Sequence, residues 1–300
     1  MYAVGIINFG SLNIDHAYSI THFVRPGETL KSDAYNIYCG GKGLNQSIAA
    51  AKAGGHVLHA GMVGEGGGLL LDYLKECGVD TGAVGRTSIP QGHAIIQVSA
   101  DGENGILLYG GSNFAVTKEY IDHVLDSVTA PQYVILQNEI SNVPYIIAEA
   151  SRRGHKVVFN ASPFEETLRE IDLKQIAWLM VNEIEGEALS GEREPEKIIA
   201  ALQAVNPDIG VVLTLGSAGA ICCNRTECVR RGIFKVPTVD TTAAGDTFTG
   251  YFVAALDSGK NLEEAILRAT AGAAIAVTRK GAGPSIPSSG EVDSFITEHT

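Results

Sequence analysis

Short apolar runs bounded by turn residues alternate along this chain with stretches of helical periodicity. The clearest runs are Tyr133–Leu136, Val157–Phe159, Trp178–Val181 and Val211–Leu213. Runs of this length suit strands that are buried on both faces of a parallel sheet, because helices cover each face. Their alternation with helices predicts an α/β fold, namely a three-layer, doubly wound and mostly parallel sheet.

The same patterns give the bounds of the other core elements. A first strand is predicted at Val4–Ile7 and another at Val57–Met62. Helices are predicted at Leu44–Ala53, Leu69–Cys77, Val143–Arg153, Ile184–Leu189 and Glu196–Ala204. Two further helices are expected to close the chain, one from Ala244 to about Asp257 and one from Leu262 to about Thr278.

Two stretches, at about 12–38 and about 92–111, do not follow this alternation of strands and helices. Polar and apolar residues alternate there, with turns at Pro26-Gly27 and Asp101-Gly102. We interpret these stretches as a small separate β-sheet, a lid inserted into a single domain that spans residues 1–300. The alternative is that they form irregular edge strands of the main sheet.

The charge balance limits the partners of this chain. Its 34 acidic residues outnumber its 22 basic residues, for a formal net charge of −12. Nucleic acids and anionic membranes require a basic surface, so neither is expected as a partner. No apolar run approaches the length of a membrane span, and the first 15 residues lack the basic start of a signal peptide. A small anionic ligand remains compatible, because helix N-termini hold phosphate in acidic proteins.

The five cysteines favour a reducing compartment, and therefore a cytoplasmic location, because their number is odd and their spacing forms no disulfide framework. Cys222, Cys223 and Cys228 lie close together in sequence but lack the paired spacing of a zinc site. We therefore expect them in a strand or hairpin.

The segment from Asp240 to Phe248, with the sequence DTTAAGDTF, leads into a helix that starts near Ala244. Its small residues leave the first backbone amides of that helix accessible, and these amides form an anion hole for a phosphoryl group. Asp246 lies beside the hole in the first turn, where a carboxylate can accept the proton of an attacking hydroxyl. The alternative is that Asp246 is only a favourable acid at a helix start.

A second glycine turn, from Gly40 to Gln46, also leads into a helix of small residues. Lys42 and Asn45 supply hydrogen-bond donors suited to hydroxyl groups or phosphate. The spacing is not that of a Walker A loop, and no G-x-G-x-x-G follows a strand. The turn is therefore a candidate site for a polar ligand rather than a dinucleotide, although such a string taken alone is more often a plain turn than a site.

Together the two segments resemble the signatures of the ribokinase (PfkB) family of carbohydrate and nucleoside kinases. The matching stretches are GGKGLNQSIAAAKAG, DTTAAGDTFTGYFVAAL and AIAVTRKGAGPSIP, and the resemblance covers nearly the whole chain. It implies a ribokinase-like fold and transfer of the ATP γ-phosphoryl group to a primary sugar hydroxyl, with D-ribose as the first candidate. A nucleoside or another pentose or hexose is the alternative acceptor, and a non-catalytic sugar-binding protein is a more distant one.

The resemblance also implies roles for individual residues. Asp246 corresponds to the catalytic base, and the anion hole corresponds to Ala243, Ala244 and Gly245. The sugar-side positions are Asn13, Asp15, Gly40, Gly41, Lys42, Asn45 and Glu139. The ATP-side positions are Asn182, Thr214, Gly216, Ser217, Gly219 and Thr270. Glu185 corresponds to the Mg²⁺ network, and the K⁺ site corresponds to Asp240, Thr242, Ala276, Arg279, Gly281 and Ser285.

Two of these assignments have plain structural alternatives. Asn13 and Asp15 could form an Asx turn, and Asn182 and Glu185 could cap a helix. The implied small molecules are ATP, Mg²⁺, K⁺ and a sugar. A homodimer through the lid is also expected, since pairing would cover the exposed edge of a small sheet.

Overall fold

A computed structural model describes residues 5–101, 103–128 and 131–299 of the chain. Its strands are β1 Ile6–Phe9, β2 Asn13–Ile20, β3 Ala34–Gly40, β4 Val57–Ala60, β5 Met62–Val63, β6 Gly85–Arg86, β7 His93–Ser99, β8 Asn104–Tyr109, β9 Tyr133–Gln137, β10 Lys156–Asn160, β11 Trp178–Asn182, β12 Gly210–Thr214, β13 Ala220–Cys223 and β14 Cys228–Arg231. Its α-helices are α1 Lys42–Lys52, α2 Gly68–Glu76, α3 Lys118–Asp126, α4 Val143–Arg152, α5 Glu183–Ser190, α6 Pro195–Val205, α7 Ala244–Asp257, α8 Leu262–Ala276 and α9 Ser289–His299. Val4 of the predicted first strand and Gly102 of the predicted hairpin turn lie outside the described residues.

The main sheet has eight strands in the order β14-β13-β12-β11-β10-β9-β1-β4. The six strands from β12 to β4 are parallel, and the β13–β14 hairpin adds two antiparallel strands at one edge. In this register Ile6 pairs with Tyr133 on one side and with Val57 on the other. The carboxyl ends of the parallel strands therefore meet along one edge, where open α/β sheets place their ligands.

Each face of this sheet is covered by its own hydrophobic core. Ile6 and Ile135 point to the face that packs against α1, α7 and α8. Their neighbours Ile7 and Leu136 point to the other face, which packs against α3, α4 and α6. Successive strand residues are thus buried on opposite sides, which confirms the three-layer α/β architecture expected from the apolar runs.

A separate four-stranded sheet has the order β3-β2-β7-β8. Its strands come from residues 13–20, 34–40, 93–99 and 104–109, inside the two stretches that broke the βα rhythm. It is a separate sheet rather than an extension of the main one. Its two edge strands carry exposed apolar side chains, including Ile37, Leu107 and Tyr109.

The structure also departs from the sequence-based predictions. A third helix, α9, follows the two that were expected to close the chain, and α3 was not predicted. Cys223 and Cys228 lie opposite each other in the β13–β14 hairpin and form a disulfide, so the cysteine count alone does not indicate a reducing compartment. In the described part of the chain, none of the helices is long and apolar enough to cross a membrane.

Candidate active site

The start of α7 lies at the edge of the main sheet where the carboxyl ends of the parallel strands meet. Ala243 precedes the helix in the left-handed conformation, with φ 60°, which is uncommon for a residue with a side chain. Among the described residues, no side chain caps this helix, so its first amides have no side-chain partner. The amide of Ala244 donates to the carbonyl of Thr241 at 3.2 Å, which partly occupies one of the three predicted anion-hole donors.

Asp246 lies in the first turn of α7 and is only 7% exposed. One carboxylate oxygen accepts from Asn45 Nδ2 at 3.0 Å, and the other accepts from Gln46 Nε2 at 2.9 Å. Both donors lie near the start of α1, which packs along α7. The two glycine-containing segments that stood out in the sequence therefore meet at this carboxylate.

The glycine turn before α1 requires small residues because two backbones nearly touch there. A Cβ on Gly43 would lie 2.3 Å from the amide nitrogen of Ser11 and 2.4 Å from the backbone of Gly10. Gly41 precedes the helix with φ 99°, a region that favours glycine. This close approach brings Lys42 next to the β1–β2 connection.

The predicted sugar-side residues cluster between the small sheet and the start of α1. Asn13 and Asp15 lie on β2 rather than in an Asx turn, and the Asp15 carboxylate covers Gly40 on the adjacent strand β3. Asn13 is buried, and its Oδ1 accepts from Asn113 Nδ2 at 2.7 Å. Glu139 accepts from the backbone amide of Lys42 at 3.1 Å.

Burial and nearby like charges shift the pKa values of the acids in this sugar-side cluster. Burial, reinforced by the nearby Glu139, raises the pKa of Asp15 to about 7. Burial also raises the pKa of Glu139, although Lys42 opposes that shift. Burial disfavours the ammonium of Lys42, but Asp246, Glu139 and Glu185 together outweigh it and raise its pKa.

A cavity of about 240 Å³ opens on the other side of Asp246. It brings together most of the residues predicted on the phosphoryl and ATP side. Those lining it are Lys42, Asn182, Glu185, Thr214, Ala243, Ala244, Gly245 and Asp246. The sequence reasoning missed other members of this wall, including Asn160, Ser162, Thr241 and Thr249.

Asn182 and Glu185 form a capping box at the start of α5. Asn182 Oδ1 accepts from the Glu185 amide, and Glu185 Oε2 accepts from the Asn182 amide, both at 2.9 Å. The helix-capping interpretation therefore holds, yet both residues also line the cavity. Glu185 keeps a second carboxylate oxygen, which suits Mg²⁺, a cation that typically takes one or two carboxylates and retains several waters.

The remaining ATP-side predictions differ in their surroundings. Gly216 and Ser217 are exposed in a turn after β12, and Gly219 ends that turn with φ 95°. Thr270 is buried in α8, and its hydroxyl donates to the carbonyl of Ile266 in the same helix. The hydroxyl proton of Thr270 is therefore engaged within its own helix.

The predicted cation-site residues fall into a shared loop region. Asp240 accepts from the amide and hydroxyl of Thr242 and from the amide of Gly281 at 3.0 Å. Burial opposes the charge of Asp240, but these bonds and nearby Lys280 lower its pKa overall. An anionic carboxylate with the Thr242 hydroxyl beside it offers oxygen ligands that suit K⁺.

The other three predicted members surround that loop. The Arg279 amide donates to the Ala276 carbonyl, and the Arg279 side chain pairs with Glu291. The Ser285 hydroxyl donates to the Ala282 carbonyl. The Ala276 carbonyl therefore already accepts one hydrogen bond, and the Ser285 hydroxyl already donates one. Arg279 can offer a cation only its backbone carbonyl.

Comparison with known proteins identifies the family. Residues 5–289 match the model of the pfkB family carbohydrate kinases. The chain belongs to this family. It is 36% identical over 299 residues to the ribokinase of Haemophilus influenzae, with 97% of each chain covered.

Solved structures of pfkB family carbohydrate kinases agree with the fold. The Thermotoga maritima ribokinase superposes with a TM-score of 0.90 at 37% identity and covers 98% of this chain and 99% of its own. The Arabidopsis thaliana ribokinase, solved with ribose and ATP, gives a TM-score of 0.86 at 29% identity and covers 98% and 99%. The fold is ribokinase-like, and the protein is an ATP-dependent phosphotransferase that acts on an alcohol group of a carbohydrate.

Proposed function

We propose that this protein is a ribokinase, which transfers the γ-phosphoryl group of ATP to the primary hydroxyl of D-ribose. The observation that carries the proposal is the position of Asp246. This buried carboxylate separates a cluster of polar sugar-side residues from a cavity lined by the uncapped start of α7. A hydroxyl bound on one side can therefore meet a phosphoryl group bound on the other.

The reaction is an in-line displacement with Asp246 as general base. A carboxylate oxygen of Asp246 accepts the proton of the primary hydroxyl as that oxygen bonds to the γ-phosphorus, and the bond to the ADP oxygen breaks. The free amides near Gly245 hold the transferring group, and the Lys42 ammonium compensates its negative charge. Asn13 and Asp15 bind the other sugar hydroxyls, and closure of the small sheet excludes water.

Two cations complete the proposal. Glu185 and Asn182 would hold Mg²⁺, which would neutralise charge on the ATP phosphates. Asp240, Thr242 and the loop that includes Gly281 would hold K⁺, which would place positive charge just before the start of α7. Replacing K⁺ with Na⁺ in the assay is expected to lower the rate, and an unchanged rate would contradict the K⁺ assignment.

The acceptor is tested by coupled ADP release over pentoses, hexoses and nucleosides. Ribose is expected to give the highest kcat/KM. A nucleoside that exceeds ribose would establish the alternative, and sugar binding without ADP release would indicate a non-catalytic protein. Asp246→Asn is expected to lose at least about 100-fold in kcat. Asp72→Asn, on an exposed face of α2, is the matched control.

We also propose a homodimer formed by the small sheets of two copies. Leu107 is 69% exposed on the edge strand β8, and further exposed apolar residues flank it. Leu107→Glu is expected to give monomers in sedimentation velocity, whereas Ile184→Glu, on the distant helix α5, is not. A wild-type monomer would refute the dimer. Since the reaction consumes ATP, we propose a cytoplasmic location, which cell fractionation tests.

A further inference from the structure

A continuous chain of buried side-chain amides connects the Asp246 carboxylate to the backbone of α1. Gln46 Nε2 donates to Asp246 Oδ1 at 2.9 Å, and Gln137 Nε2 donates to Gln46 Oε1 at 2.7 Å. The same Gln137 nitrogen donates to Asn8 Oδ1 at 3.0 Å, and Asn8 Nδ2 donates to the Gly43 carbonyl at 2.8 Å. All three amide side chains are fully buried.

The two ends of this hydrogen-bonded series are the Gly43 carbonyl and the Asp246 carboxylate, and they set the orientation of every amide between them. A carbonyl oxygen only accepts, so Asn8 must turn its nitrogen to Gly43 and its oxygen to Gln137. Gln137 must then present its nitrogen to that oxygen, and the same nitrogen also reaches Gln46. Gln46 is thereby held with its oxygen towards Gln137 and its nitrogen towards the Asp246 carboxylate.

The orientation of Gln137 has a single cause. Its Oε1 has no hydrogen-bond partner among the described residues, so its contacts with two acceptor oxygens alone decide which way the amide points. A reversed Gln137 would place oxygen against the oxygens of Asn8 and Gln46 in a buried site, where repulsion is poorly screened. Without Gln137, however, Gln46 Oε1 would lose its donor, and Gln46 would be held only at its Asp246 end.

We propose that Gln46, Gln137 and Asn8 are positioning residues that fix the catalytic carboxylate, with Gln46 in direct contact and the other two acting through it. The proposal rests on the assignment of Asp246 as the base. Asn45 holds the second Asp246 oxygen, so the two donors together prevent rotation of the carboxylate.

The test is a double-mutant cycle in steady-state kinetics at saturating ATP and ribose. Gln46→Met keeps the length of the side chain but cannot donate, and is expected to lower kcat about 10- to 100-fold. The KM for ribose is expected to stay within about twofold of wild type.

Gln137→Met is also expected to lower kcat while the KM for ribose stays within about twofold of wild type, although it touches no oxygen of Asp246. The double variant is expected to be no slower than Gln46→Met by more than about twofold, because Gln137 acts through Gln46. Gln203→Met is the matched control, since the Gln203 side chain donates to the Ile209 carbonyl and is not part of this network. It is expected to keep the wild-type kcat and KM.

Several results would overturn the proposal. These are a wild-type kcat in both single variants, losses that multiply in the double variant, or the same loss in Gln203→Met. If Gln46→Met does not fold, as judged by thermal unfolding, Gln137→Met decides alone, through a lowered kcat at an unchanged KM for ribose. An inactive Asp246→Asn together with an unaffected Gln46→Met rejects only the positioning role, whereas an active Asp246→Asn rejects the base assignment as well.

Discussion

Asp15 provides the sharpest test of the electrostatics in the sugar site. Its pKa is raised from 3.8 to about 7 by burial and by the neighbouring Glu139. Ionised Asp15 therefore destabilises the sugar-free protein, and Asp15→Asn removes that charge while keeping the shape of the side chain. A stabilising substitution at a ligand-binding residue is the expected consequence of a site built for a ligand that is absent.

The magnitude and its pH dependence follow from the two pKa values. The pKa of Asp15 is higher in the folded than in the unfolded protein. The group therefore costs no unfolding free energy below pH 3.8, and its cost grows as the pH rises towards about 7. The loss amounts to about 2 kcal/mol at pH 5 and to about 4 kcal/mol at pH 8, at about 1.4 kcal/mol per pH unit. Asp15→Asn recovers this loss.

The assay is urea unfolding without sugar or nucleotide at pH 5 and pH 8. The gain in the free energy of unfolding is expected to be about twice as large at pH 8 as at pH 5. Asp72→Asn, an exposed substitution of the same kind, is expected to change stability by less than about 0.5 kcal/mol at both values. A gain that is absent, or equal at the two pH values, refutes the assignment of a raised pKa to Asp15.

Three further predictions concern other parts of the molecule. Burial lowers the pKa of His59 from 6.5 to about 4, so the wild-type free energy of unfolding should fall by about 2 kcal/mol as the pH drops from 7 to 5. His59→Gln should not show this loss in urea unfolding. Gly250→Ala would place its Cβ 2.4 Å from Ala49 Cβ and should destabilise by about 1–3 kcal/mol, whereas Gly68→Ala, with open space around it, should not. Lys42→Met should lower kcat/KM by about 100-fold, and a loss below tenfold would contradict its role in charge compensation.

Local patterns in the sequence predicted the fold, and they singled out residues at the start of α7 that line the cavity. The apolar runs of β9 to β12 are buried on both faces, so nearly every position in them must be apolar, and this makes the strands recognisable in the sequence. The start of α7 was recognisable because small residues and an acid precede a helical apolar pattern at Phe248 and Phe252. Both signals lie within about a dozen consecutive residues, so neither depends on tertiary contacts.

The network that holds Asp246 was not predicted, because its members are distant in sequence. Gln46 and Gln137 are 91 positions apart, and Gln46 and Asp246 are 200 apart. A signal was nevertheless present, since Asn8 interrupts an apolar strand and Gln137 ends another. Polar residues in strands buried on both faces must find partners, so two of them in adjacent parallel strands indicate a shared network.

The acidity of the site supports the proposed use of Mg²⁺. Three carboxylates, those of Asp246, Glu139 and Glu185, act on the single ammonium of Lys42, and Asp15 lies beside Glu139. Lys42 cannot balance these charges and a polyphosphate at once, so the proposed phosphoryl transfer would rely on the neutral amides of α7 and on a bound divalent cation to carry the phosphate charge. The proposed sugar would contribute in the same direction. Burial raises the pKa of Asp15 and of Glu139, so sugar hydroxyls that donate to these two carboxylates would favour their ionised forms.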